Sequence, residues 1–160
     1  MTKSAPSSIA LPRRQTLPKH VVLADDDDSV RQSLVMFLER AGFLVTPARN
    51  GQQALTAVVN EEPDLVVTDI MMPDMDGLEL LQAMRRTAPQ VPIIAISGGG
   101  VRKGEYALQA AKFLGACHVL RKPFTGQELV ALVRRLSGSD TPEGTAVGEA
   151  EPVWQLGAPR

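Results

Sequence analysis

Between residues 20 and 136 the hydrophobic pattern switches back and forth between short continuous apolar runs and stripes at helical spacing, and this alternation leaves the chain few folds to choose from. Val21-Val22-Leu23-Ala24 has strand length, and Val30, Leu34, Phe37, Leu38 and Ala41 follow at helical spacing until Gly42. Phe43 to Thr46 predicts a second strand, and Asn50 is placed to cap a helix carrying Ala54, Leu55, Val58 and Val59, which Pro63 closes. Leu65 to Thr68 predicts the third strand, and Leu78, Leu81 and Met84 stripe the helix after it. Val91 to Ile96 predicts a fourth strand with Pro92 near its start, where a missing N–H is tolerated. Tyr106, Ala107, Ala110 and Leu114 are expected to mark a fourth helix, His118 to Leu120 a fifth strand, and Leu129, Val130, Leu132, Val133 and Leu136 the apolar face of a last helix.

Strands that are apolar on both faces belong in a covered parallel sheet, and right-handed crossovers place the helices on its two sides. The expected class is therefore α/β, and five strands are compatible with a flavodoxin-like (βα)5 doubly wound sandwich in the order 2-1-3-4-5. In that order ligands bind at the carboxyl ends of the strands, beside the switch point between strands one and three.

Composition supports one such domain. Of 160 residues, 44% are hydrophobic and 22% charged, close to the globular average. The period is confined to residues 20–136. Residues 1–19 carry Lys3, Arg13, Arg14 and Lys19 without an acid and are expected to form a disordered basic arm; residues 137–160, rich in Gly, Pro and Glu, are expected to form a disordered acidic tail. A net charge of −1 gives no global attraction to nucleic acid or anionic membrane. The lone Cys117 supports neither an internal disulfide nor a cysteine-based zinc site. No apolar run approaches the roughly 18 residues that span a bilayer, and no secretory apolar segment opens the chain, so cytoplasm is the expected compartment. No DNA-binding motif or effector follows residue 136, so output is expected through protein–protein contact.

Polar residues sit just past four of the strands: Asp25 and Asp26 after the first, Asp69 after the third, Ser97 after the fourth and Lys122 after the fifth. The topology would bring them to one edge. Carboxylates crowded within about 4 to 6 Å repel by several kcal/mol at an effective dielectric near 20, so such a cluster needs a cation or a proton. An all-oxygen site with few protein ligands suits Mg²⁺, which binds one or two carboxylates together with a phosphate. Lys122 would supply a point charge to a phosphoryl oxygen and Ser97 a hydroxyl donor, leaving Asp69 as the central candidate for a nucleophile that forms an acyl phosphate. Singly, each residue has an ordinary reading: Asp25 to Asp28 as helix-start acids, Asp69 as a turn residue, Lys122 as a solvated loop lysine, Ser97 as a turn former. Their joint placement favours the site.

The stretches Val21 to Asp26, Val66 to Gly77 with Asp69-Ile70-Met71-Met72-Pro73-Asp74 inside it, Ile93 to Ser97, and Lys122-Pro123-Phe124 resemble the receiver domain of two-component response regulators, in order and spacing, over about residues 20–136. The resemblance implies that Asp69 is the phosphoacceptor, that Asp26 ligates Mg²⁺ directly, and that Asp25 acts through a metal-bound water. It further implies that Met71 offers its backbone carbonyl to the metal, and that Ser97 and Lys122 contact the phosphoryl group. The phosphoryl donor would be a sensor histidine kinase or a histidine phosphotransfer protein. The target would dock on the face formed by helix four, strand five and helix five. Three residues before the lysine, where receivers usually carry Tyr or Phe at the switch position coupled to Ser97, this chain has Val119, so a weakened hydroxyl–aromatic switch is expected.

Other readings were weighed. A haloacid-dehalogenase-like phosphohydrolase shares the Asp, Ser, Lys and Mg²⁺ set, and Asp25-Asp26-Asp27-Asp28-Ser29 approximates its aspartate motif, but no acidic pair follows Lys122 and no cap domain is visible. A phosphorylation-independent binding module on a receiver scaffold is the third reading. Met72 to Ala83 does not fit an EF-hand, Gly98-Gly99-Gly100 fits neither phosphate-loop pattern, and Ser97 with His118 lacks the nucleophile-elbow context. Val153-Trp154-Gln155-Leu156 reads as tail rather than docking motif. The chain is thus expected to be a single-domain regulator, with self-phosphorylation and slow autodephosphorylation but no turnover role.

Overall fold

The computed structural model describes residues 17–98 and 101–139. Five strands, β1 (His20–Ala24), β2 (Leu44–Ala48), β3 (Leu65–Asp69), β4 (Ile93–Ser97) and β5 (His118–Arg121), alternate with α1 (Asp28–Arg40), α2 (Gly51–Glu61), α3 (Gly77–Thr87), α4 (Val101–Phe113) and α5 (Gly126–Ser137). All strand pairs are parallel, in the order β2-β1-β3-β4-β5. The α/β class and the predicted order are those observed.

Alternate residues of the central strands feed two cores, as the two-residue strand period requires. Val22, Ala24, Val66 and Ala95 pack with Leu80, Leu81 and Met84 of α3 and Ala54 and Val58 of α2. Val21, Leu23, Val67 and Ile96 face the other way, against Leu34 and Leu38 of α1 and Leu129 and Val133 of α5. The helices start where local chemistry dictates. Asn50 accepts from the Gln53 amide at 2.9 Å, and Asp76 with Glu79 and Thr125 with Glu128 form capping boxes that satisfy otherwise orphaned first-turn donors.

Four sequence expectations need correction. β2 runs on through Pro47 to Ala48, because an edge strand tolerates a residue without an N–H. The inward face of α4 is carried by Leu108 and Ala111, with Ala107 and Leu114 only partly buried. Tyr106 is 77% exposed, so it belongs to no buried stripe. In α2, Ala57 is buried and Val59 is 59% exposed. Lys19, expected in the arm, is anchored: its ammonium lies 3.0 Å from Asp64 Oδ1, and its carbonyl accepts from the Leu44 amide. Residues 1–16 and 140–160, with Trp154, and Gly99-Gly100 lie outside the described residues.

Candidate functional site

Asp25 follows the last residue of β1, and its amide donates to the Ala48 carbonyl of β2 at 3.1 Å. Its side chain therefore hangs at the switch point between β1 and β3. Oδ1 accepts from the Asp27 amide at 2.9 Å, while Oδ2 is buried with no hydrogen-bond partner. Asp27 itself caps α1, accepting from the Ser29 and Val30 amides at 2.9 and 3.0 Å. Asp26, between them, is exposed.

Asp69 closes β3 and is 5% exposed. Its Oδ1 accepts from the Met71 amide at 2.8 Å and its Oδ2 from Lys122 Nζ at 2.7 Å. The backbone beneath it is held tightly. The Thr68 hydroxyl donates to the Asp69 carbonyl at 2.9 Å, Ile70 N–H donates to Ile96, and Gly77 N–H donates to Ile70. A Cβ on Gly77 would lie 2.3 Å from the Asp69 carbonyl oxygen and 2.7 Å from Ile70 Cα. That glycine is required for α3 to begin against the strand end.

Ser97 closes β4 at 4% exposure, and its carbonyl accepts from the Lys122 amide at 2.8 Å. The Lys122-Pro123 peptide is cis. The lysine stem passes beside Gly98, where a Cβ would come within 2.9 Å of Lys122 Cδ. All five polar residues singled out at strand ends thus reach the same edge of the sheet, and Met71 joins them through its backbone while its side chain is 62% exposed.

The charges do not balance. One ammonium, 2.7 Å from Asp69 and 3.7 Å from Asp25, faces three carboxylates. Burial pushes the Asp25 carboxyl up to about 6; Lys122 opposes that rise and Asp69 adds to it. Burial alone would lower the Lys122 ammonium, but the Asp69 hydrogen bond and the charges of Asp69, Asp25 and Asp26 outweigh it and raise its pKa. Asp25, Asp26 and Asp69 can each offer an oxygen within 4.8 Å of the others. Like charges about 4 Å apart cost about 4 kcal/mol at an effective dielectric of 20, so the cluster can take up a second cation or a proton. A buried carboxylate oxygen without a hydrogen-bond partner, in an all-oxygen donor set, fits a hard divalent ion.

Sequence reasoning missed Arg31. It is 6% exposed; Nη1 donates to the Asp25 carbonyl at 2.8 Å, and Nη2 pairs with Asp28, whose carboxyl this hydrogen bond and charge hold below the usual range. The signal was present, because Arg31 shares the buried row of α1 with Leu34 and Leu38. A charge at an inward position calls for a buried partner. Val119, by contrast, is only half-buried and lines a cleft of about 360 Å³ with Leu108, Gln109, Lys112 and Arg121 between α4 and β5. His118 is likewise half-buried, at the start of β5 rather than at the acidic edge.

A family model described as the response regulator receiver domain matches residues 21–134. Among curated relatives, the response regulator MprA of Mycolicibacterium vanbaalenii is 36% identical over 130 residues, which cover 81% of this chain and 55% of the relative. The transcriptional regulatory protein FixJ of Azorhizobium caulinodans is 37% identical over 130 residues, 81% of this chain and 59% of that protein. The chain therefore spans somewhat more than half the length of these relatives. Among solved structures, a CheY-like response regulator receiver domain protein from Methanospirillum hungatei superposes with a TM-score of 0.69 at 25% identity, covering 76% of this chain and 95% of its own. The Francisella response regulator 1452 receiver domain gives 0.67 at 30% identity, covering 76% and 98%.

Proposed function

The chain belongs to the response regulator receiver domain family, and from that premise we propose that Asp69 is the phosphoacceptor of a phosphorylation switch. One observation carries the assignment. Of the three clustered acids, Asp69 alone sits at a strand end with one oxygen on a backbone amide and the other 2.7 Å from a lysine.

In this reading an Asp69 oxygen attacks the phosphorus of a phosphohistidine on a sensor kinase or phosphotransfer protein. The phosphorus–nitrogen bond breaks, the imidazole leaves, and an acyl phosphate forms. Lys122 then shifts from the carboxylate to a phosphoryl oxygen, and the Ser97 hydroxyl, on the neighbouring strand end, donates to another. Asp26 and Asp69, the Met71 carbonyl and, through water, Asp25 would hold Mg²⁺. When bound, that ion neutralises phosphoryl charge. Gly77 lets α3 start against the acceptor's backbone, and the Met71 amide holds one carboxylate oxygen of Asp69, so the nucleophile is positioned before the donor arrives.

The chemistry is stoichiometric, with slow hydrolysis and no turnover of a diffusible substrate. Against the dehalogenase-like reading, the second aspartate of that motif would be Asp27, and both its accepted bonds are helix-cap bonds. No helix among the described residues is long and apolar enough to cross a membrane; action in the cytoplasm, where the phosphoryl donors of receiver domains act, is part of this proposal. We assign output to protein contact at α4, β5 and α5. The expected lack of a following DNA-binding domain concerns chain outside the described residues.

Intact mass after incubation with acetyl phosphate tests the proposal. A single labile phosphoryl adduct is expected with Mg²⁺, and none with Asp69→Asn or with a chelator. An adduct that persists in Asp69→Asn would refute the assignment. No adduct in the wild type, from acetyl phosphate or from phosphohistidine donors, would leave the phosphorylation-independent binding module.

A further inference from the structure

At the edge of the sheet opposite the carboxylates, a cleft of about 660 Å³ opens between the C-terminal ends of α2 and α3. That volume lies within the roughly 300 to 1,000 Å³ of specific binding sites. Its apolar lining includes Val58, Val59, Pro63, Val91 and Pro92, and Val59 is 59% exposed. Among the described residues, the charged ones that line it are acidic, Glu62 and Asp64. Neither the phosphorylation chemistry nor the α4–β5–α5 face uses this cleft.

The described chain begins at its wall. Lys19 Nζ lies 3.0 Å from Asp64 Oδ1, and the His20 amide donates to Asp64 Oδ2 at 2.8 Å. Immediately upstream the sequence is Ile9-Ala10-Leu11-Pro12-Arg13-Arg14, and residues 1–19 hold no acid. Apolar side chains beside paired arginines complement an apolar cleft with an acidic rim. The tether is short: from residue 14 to Lys19 the chain spans at most about 18 Å. A segment so tethered meets the cleft at an effective concentration on the order of millimolar. Pro12 restricts its own backbone and that of Leu11 toward extended forms, lowering the ordering cost.

We propose that residues 9–14 fold back into this cleft of the same chain, with Ile9 and Leu11 on the floor of Val58, Val59 and Val91, and with Arg13 and Arg14 facing Glu62 and Asp64. Docking here is independent of phosphorylation, so it stands or falls separately from the role of Asp69.

The Arg13-Arg14 pair is itself a trypsin site, so the full-length chain carries its own reporter. Cleavage there is expected to be at least tenfold slower in the wild type than in an Ile9→Ser/Leu11→Ser double variant or in Val59→Glu, whose site is exposed enough to leave the fold intact. Glu62→Gln and added salt should each weaken the protection. Methyl NMR signals of Val58, Val59 and Val91 should move between wild type and the Ile9→Ser/Leu11→Ser chain. Equal cleavage rates with unmoved methyl signals would overturn the proposal. Protection that grows with protein concentration would also overturn it, by assigning the cleft to the arm of a second copy.

Discussion

β3 and β5 belong to the same sheet and differ in almost every physical respect. All five residues of β3 are buried, and its end carries Asp69, bonded through both oxygens. β5 is half-buried at three positions and exposed at the fourth, and among the described side chains of the α4 helix beside it only Leu108 and Ala111 turn fully inward. Phe113, at the end of α4, is 86% exposed. The centre of the sheet thus fixes the acceptor, while the β5 edge that leads into Lys122 is lightly packed and can be rearranged at small cost.

The sharpest way to break this contrast is to damage the rigid side. Gly77→Ala should destabilise the domain by about 3 kcal/mol, since the new methyl meets backbone rather than a movable side chain. Urea unfolding measures it, and a loss below 1 kcal/mol would show that the strand end can yield. Gly126→Ala offers a comparison, because there the methyl meets Phe37 Cγ at 2.4 Å, a side-chain atom that moves only if Phe37 leaves its rotamer.

A second effect concerns the unbalanced charge. Asp25 titrates near 6 when folded against an ordinary 3.8, so between these values the folded chain holds more protons than the unfolded one. Its stability therefore falls as pH rises from about 4 to about 6, and the deficit is complete above that. In chelator, Asp25→Asn should gain about 1–3 kcal/mol at pH 8, a gain that vanishes below about pH 4. A pH-independent difference in urea midpoints would refute the burial argument.

Next in size is local opening. Amides of β5 and α4 should exchange with solvent at least about tenfold faster than those of β1 and β3, read by native-state hydrogen exchange. Uniform protection would erase the distinction between the two regions. The smallest effect is expected from Val119→Phe, which fills the α4–β5 cleft and changes stability by less than about 1 kcal/mol. Its value lies in the spectrum: after acetyl phosphate treatment, amide shifts in α4 and β5 should exceed those of the wild type.

The alternation of apolar runs and stripes was enough to predict five strands, five helices and the edge where their polar neighbours gather. It worked best where burial is two-sided, as in Val21 to Ala24 and Leu65 to Thr68. It was partly wrong on α4, because Tyr106 completes a stripe in the sequence yet is exposed, while Leu108 and Ala111 are buried and Ala107 and Leu114 pack only partly against the core. Arg31 escaped because a charge does not count in a hydrophobic pattern, although its inward phase was visible. The contacts of Gly77 and Gly51 could not be read at all, since they depend on distances between segments far apart in sequence.

Gly51 shows what such a distance implies for the history of a chain like this one. Its amide donates to the Met75 carbonyl at 2.9 Å, and a Cβ at position 51 would fall 2.6 Å from that same oxygen. The loop bearing Met71 is therefore clipped to the start of α2. Any lineage that replaces this glycine must rebuild the loop around residue 75 in the same step, and any lineage that remodels the loop is bound to the glycine. The two positions should drift as a pair or not at all, so that substitution at one, found alone, marks a descendant whose acceptor loop has already changed shape.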